Sequence, residues 1–240
     1  LAVSALAVGD AAEEALLPFR PDIDGPFGPR EAGHLLRRTS FGGTLAERRR
    51  VQDWGPERAV AELTASPPPE GDYASELAAL AALASIDDLV TCQSLWLSRM
   101  LRAPHPFRER LALFWHGHFA TAIGKVGRAQ LMVGQIAMLR EQGGGPLRTL
   151  LGAVSRDPDM IVWLDGNANR RQHANENYAR ELMELFTLGV GHYAESDVLE
   201  AARAFTGWHE RDGRYRYTAG EHDEGDKTVL GRGGALDGDD

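Results

Sequence analysis

Residues 175–208, NENYARELMELFTLGVGHYAESDVLEAARAFTGW, decide the fold of this chain. They read as two helices joined by a short glycine-containing turn. Over Asn175 to Gly189, at roughly 100° per residue, Tyr178, Ala179, Leu182, Met183, Leu185, Phe186 and Leu188 make one broad apolar face. Glu176, Arg180 and Glu184 follow at i, i+4 and i+8 on the opposite face. Such a row is ordinarily a solvated ion-pair ladder, contributing a few tenths of a kcal/mol per pair. Glu181 stands apart, at the border beside Leu185 and Leu188. A carboxylate there is partly buried and needs a partner. It is the best single candidate for a functional acid.

Helix signals continue upstream. Arg30 to Arg38 is amphipathic, and Thr44 to Glu47 has the spacing of a capping box. Gly55-Pro56 opens a helix with proline at its first position, where the missing N–H costs nothing. Ser66 to Gly71, with three consecutive prolines, is a linker and a possible sub-boundary. Asp72 to Arg102 reads as one long helix or two. Further helices run from His105-Pro106 toward Thr121, from Lys125 to Glu141, and from the Asp157-Pro158 cap. The strand signal comes late, where Asp212-Gly213 forms a turn and Tyr215 and Tyr217 alternate with charge. The expected fold is therefore mainly α: a single multi-helix, bundle-like domain over residues 1–240, with a small β-hairpin near the C-terminal end.

Composition narrows the function. The chain has 240 residues, 43% apolar and 25% charged, as in ordinary globular proteins. A net charge of -9 argues against a nucleic-acid partner, which wants a basic face. No apolar run approaches the ~18 residues of a membrane span. Cys92 is the single cysteine, so no internal disulfide forms. The N-terminal stretch LAVSALAVGDA is similar to the tail of an export signal but lacks a basic start.

Four constellations bear on chemistry. Glu181 and Glu176 lie in the opening stretch. Just upstream, Asp165, Asn167 and Asn169 hold positions 1, 3 and 5 of a loop whose position 12 is Glu176, the pattern of a calcium loop. Arg170, however, stands at position 6 where the sharp turn wants glycine; the other reading is an Asn-rich turn that caps the next helix. In Phe114 to Phe119, His116 and His118 look like a metal pair, but on a helix they point about 200° apart. His118 shares a face with Leu111, Phe114 and Trp115, as a hydrogen-bonded core histidine does. It could also act as a general base. Finally, His222-Asp223 with Lys227 follows the hairpin, either as ligands or proton carriers or as a solvated acidic loop. His34 is another lone helical histidine and reads as a structural one, and the Arg37-Arg38 pair could bind an anion or simply face water. No nucleophile elbow, phosphate loop, dinucleotide fingerprint or zinc cysteine pair is present.

Four segments together carry a resemblance: AGHLLRRTSFGGT (Ala32 to Thr44), FWHGHFAT (Phe114 to Thr121), the opening stretch, and HDEGDKTVLGRGGALDGDD (His222 to Asp240). In order and spacing the chain resembles a bacterial family known only as domain of unknown function 1800. The resemblance implies an uncharacterised bacterial protein and transfers no catalytic residue. Family members are often encoded beside proteins similar to secreted alkaline phosphatases and sulfatases, which implies an extracytoplasmic setting and such a protein as partner. The family's domain runs on past Asp240, so the chain resembles its N-terminal portion, and apolar surface is expected where further helices dock.

Two functional expectations follow. In the first, Glu181 and Glu176, His118 or His116, and His222 with Asp223 converge on a divalent metal ion, with Glu181 and His118 catalytic in a metal-assisted hydrolysis. In the second, the protein is a non-catalytic scaffold or partner of the phosphatase- or sulfatase-like protein, and its polar residues hold helices in register.

Overall fold

A computed structural model describes residues 17, 19–84 and 88–240; the export-signal-like stretch lies outside the described residues. These residues hold twelve α-helices and two small antiparallel hairpins, a mainly α fold. None of the helices is long and apolar enough to cross a membrane. The chain divides between Ala65 and Ser66 into two compact units.

The first unit contains α1 (Pro21–Asp24), α2 (Pro29–Thr39) and α3 (Leu45–Thr64). The capping box forms as its spacing predicts: the Glu47 amide donates to Thr44 Oγ1 at 3.2 Å, and the Thr44 amide to Glu47 Oε2 at 2.7 Å. Gly55, at φ 73°, breaks α3 just before Pro56. Leu36, Val51 and Ala59 are buried between the two long helices, whereas His34, Arg37 and Arg38 are exposed.

The second unit begins with α4 (Gly71–Ala84), α5 (Leu89–Arg102), α6 (Phe107–His118) and α7 (Ile123–Val126). It continues with α8 (Ala129–Gln142), α9 (Leu147–Ser155), α10 (Pro158–Trp163), α11 (Asn177–Glu181) and α12 (Glu195–Ala204). Asp157 caps α10, its carboxylate accepting from the Met160 amide at 3.3 Å. The main core collects Phe119 from the end of α6, Leu139 from α8, Leu150 and Val154 from α9, Met160 from α10 and Tyr178 from α11.

Strands β1 (Trp208–Arg211) and β2 (Arg214–Tyr217) form the expected hairpin, with Trp208 opposite Tyr217. Its turn residues Asp212 and Gly213 sit at φ 53° and 77°, the left-handed pair that a two-residue hairpin demands. A second hairpin, β3 (Lys227–Val229) with β4 (Arg232–Gly234), was not expected. Its turn is Leu230-Gly231, at φ 49° and 80°, and leucine gives no turn signal. The Leu230 amide is held by Asp197 Oδ1 at 2.8 Å. A leucine in this conformation costs about 1–2 kcal/mol, while asparagine adopts it readily. Because the Leu230 side chain is half exposed, Leu230→Asn should raise the unfolding free energy by about 0.5–1 kcal/mol. A lower urea midpoint for the variant would refute the assignment of strain.

The opening stretch folds as two helices, with one departure. After α11 the chain does not continue at 3.6 residues per turn; Leu182–Thr187 is a π-turn. The Leu188 amide reaches back to Met183 O at 2.9 Å, and Thr187 Oγ1 donates to Leu182 O at 2.6 Å. The extra residue per turn rotates everything after it. Met183 and Phe186 stay buried, but Leu185 and Leu188, placed on the apolar face by a regular period, are 60% and 39% exposed. Glu184, assigned to the solvated face, turns inward and accepts from the Tyr193 hydroxyl at 2.9 Å.

Candidate functional site

The loop from Asp165 to Glu176 is tied down residue by residue. Asp165 Oδ2 accepts from Lys125 Nζ and from Asn177 Nδ2, each at 2.9 Å. Asn167 Oδ1 accepts from the Glu210 amide at 2.9 Å. Asn169, almost fully buried, donates to Ala202 O and accepts from the Asn175 amide, both at 2.9 Å. Glu176 pairs with Arg180 at 2.8 Å, and Arg180 also holds Glu195. The four side chains of the calcium-like pattern thus each bind a different neighbour. Asn167 and Asn169 staple the loop to β1 and to the end of α12. Arg170, at the glycine position, reaches Glu221 at 3.4 Å.

The histidines and acids of the expected metal centre also sit at separate contacts. His116 Nδ1 lies 3.3 Å from Gln135 Oε1, and its ring meets Trp96 edge-on. His118 Nε2 lies 3.2 Å from Phe186 O. That carbonyl is at the end of the π-turn, where carbonyls lack helical partners, so His118 caps it. Glu181 is half-buried. His222 and Asp223 do come together, both on Thr206: His222 Nδ1 is 2.9 Å from Thr206 O, and the Asp223 amide donates to Thr206 Oγ1 at 2.8 Å. The Asp223 carboxylate is clamped by Arg203 at 2.8 and 3.1 Å, which holds its pKa down to about 2. Among the described residues, no three His, Cys, Asp or Glu side chains form a group that could hold a metal ion.

Three polar centres emerge only in three dimensions. Lys227 is 2% exposed, with Nζ donating to the carbonyls of Asp223 and Gly225 at 2.5 and 2.9 Å. Burial pulls its pKa down. Its two hydrogen bonds fasten the start of β3 to the preceding loop at Asp223 and Gly225.

In the second centre, His209 is fully buried between Thr218 Oγ1 on Nδ1 and Glu221 Oε2 near Nε2, both at 3.3 Å. The carboxylate–imidazole–hydroxyl order is that of a nucleophile's relay. The Glu221 contact is not aligned as a hydrogen bond, though, and a fully enclosed ring offers no approach to substrate. Burial lowers the His209 pKa despite Glu221.

The third centre lies inside the helices. Gln135, wholly buried, donates to Asp157 Oδ2 at 2.9 Å and accepts from Thr121 Oγ1 at 3.2 Å. Thr121 also contacts Asp159 Oδ2 at 2.6 Å. Desolvation raises both carboxyls, Asp157 to about 7. Asp157 was legible as a helix cap; its burial was not, because capping aspartates are ordinarily exposed.

An open apolar groove lies beside the π-turn. It has a volume of about 480 Å³ and runs past Leu182 and Leu188, Ala201 of α12, Val229, Leu230 and Leu236. Arg148, Arg156 and Arg232 stand at it with Asp237 and Asp239. Arg156 pairs with Asp239, and Arg232 with Asp240 at 2.9 Å.

Fold and site together define a mainly helical protein, its loops stapled by buried polar side chains, with an apolar groove beside a π-turn. The chain belongs to the family described as "Protein of unknown function (DUF1800)", whose model matches residues 34–240. No curated protein and no solved structure matches the chain.

Proposed function

We propose that this protein is a non-catalytic helical scaffold that docks a partner protein in the groove between the π-turn and the second hairpin. The open groove carries this reading. Its apolar lining includes Leu188 and the half-exposed Leu230, which share one concave surface rather than standing singly. An apolar groove of this kind suits the apolar face of a partner's helix. The contacts of His118, His222 and Asp223 support it too, since each holds one element of this chain to another. The family resemblance supplies the partner's class, a secreted phosphatase- or sulfatase-like protein encoded nearby.

The test is co-purification of the full-length protein with that neighbour. Leu188→Glu and Leu230→Asn should each weaken capture by at least about tenfold, the loss of one apolar anchor from a groove. Leu230→Asn is the more telling variant, because the same change is expected to stabilise the fold. Glu181→Ala should capture the partner normally. Undiminished capture by both groove variants would overturn the proposal. So would stoichiometric Zn²⁺, Mn²⁺ or Ca²⁺ in the purified protein that disappears in Glu181→Ala, which would instead establish a metal centre.

A further inference from the structure

A second cavity lies elsewhere in the helical unit, walled by the Pro67-Pro68-Pro69 linker. Its volume is about 660 Å³, and Tyr73 of α4, Arg99 of α5, His105 and Arg108 near the start of α6, and Arg140 of α8 line it. Proline fixes its own φ, so the wall is stiff before any ligand arrives.

The charges in this cavity do not balance. Glu109, 4% exposed, takes Arg140 in a fork at 2.5 and 3.0 Å. Arg99 stands 4.0 Å from the same carboxylate, at the limit of an ion pair. One buried carboxylate therefore faces two guanidinium groups. Arg99's side chain is only 22% exposed, and none of its N–H groups finds a hydrogen-bond acceptor among the described residues. Burial and the neighbouring Arg140 both act against its charge. Arg108 adds an exposed cation at the rim, and Glu70 an exposed carboxylate. The Tyr73 hydroxyl lies within the field of Glu109, Arg99 and Arg140 and has no hydrogen-bond partner among the described residues.

A guanidinium that opens on the cavity with no protein acceptor keeps its planar fork of donors available, and that fork matches an oxyanion. We propose that this cavity binds a small oxyanion, a phosphate or carboxylate group, held by the Arg99 fork with Arg108 and the Tyr73 hydroxyl. The Arg140–Glu109 pair sets the shape of the site and leaves Arg99 as the open cation.

Titration calorimetry of the full chain with inorganic phosphate and, separately, with succinate tests this and separates the two sources. Sodium chloride at matched ionic strength is the control. Saturable one-to-one binding of at least one probe is expected, with Arg99→Gln weakening it by about tenfold or more. Tyr73→Phe and Arg108→Gln, which remove groups outside the main core, should each weaken it severalfold and keep the assignment testable if Arg99→Gln misfolds. Binding of neither probe, or equal binding by wild type, Tyr73→Phe and Arg108→Gln, would overturn the proposal.

Discussion

Phe119→Ala is expected to destabilise the protein by about 3–5 kcal/mol, the usual cost of removing a fully buried phenylalanine. Phe119 is 0% exposed just beyond the end of α6. Its ring stacks on Trp115 at 5.5 Å with 17° between planes, meets Phe186 edge-on at 5.1 Å, and touches His118 at 4.7 Å. Truncation would remove the apolar area and leave a cavity that three fixed rings cannot fill. Phe119→Leu retains most of the volume and should cost only about 1–1.5 kcal/mol. Because Phe186 belongs to the π-turn, the Ala variant should also speed amide exchange over residues 183–189. Urea unfolding measures the first effect and hydrogen exchange the second. A loss below 1 kcal/mol, with the π-turn amides unchanged, would mean that this aromatic cluster does not anchor the turn.

The second large effect is a pH dependence centred on Asp157. An unfolded aspartate titrates near ~3.9. In the fold, burial raises Asp157 to about 7, with the nearby Asp159 adding to it and Gln135 opposing. Between these values the folded chain holds a proton that the unfolded chain has released. The corresponding stability is fully present below about pH 4 and is lost as pH rises through about 7. Its size is on the order of 4 kcal/mol. Asp159 is raised by burial too and acts with the same sign; Thr121 and His116 oppose that rise.

Asp223 acts with the opposite sign. Held at about 2 by Arg203, it adds stability above ~4 that is lost on acidification. The clean observable is therefore the difference between wild type and Asp157→Asn. Asparagine keeps the oxygen that accepts from Gln135 and Met160 but does not titrate. The variant should be the more stable protein at pH 8, and the difference should shrink steadily toward pH 5. Equal dependence of both proteins on pH would show that Asp157 is not the proton-holding group.

How much was legible can be seen residue by residue. The caps at Thr44 and Asp157, the break at Gly55 and the Asp212-Gly213 turn are local devices. Each depends on a few neighbouring atoms, and each formed as its residues predict. The turn at Leu230 was hidden because leucine resists the conformation it adopts there; contacts to Asp197 and the β3–β4 pairing impose it. The π-turn was hidden for a related reason. A helical period assumed over Asn175 to Gly189 cannot reveal one extra residue in a turn, and that residue exchanged the surroundings of Glu184, Leu185 and Leu188.

By itself, then, the sequence determined a mainly helical fold, because periodicity and caps act within a few residues, and its motifs carried the family. It also marked polar residues that packing alone does not require, among them Asn169, Glu176, His118 and His222. Only the tertiary structure decided what each one touches. His118 closes a carbonyl 68 residues away, and Asn169 one 33 residues away. Arg99, Arg140 and Glu109 meet around a cavity from three different helices. Hydrogen bonds and ion pairs act over about 3–4 Å of space, and no spacing along the chain states which distant atoms will come within that range.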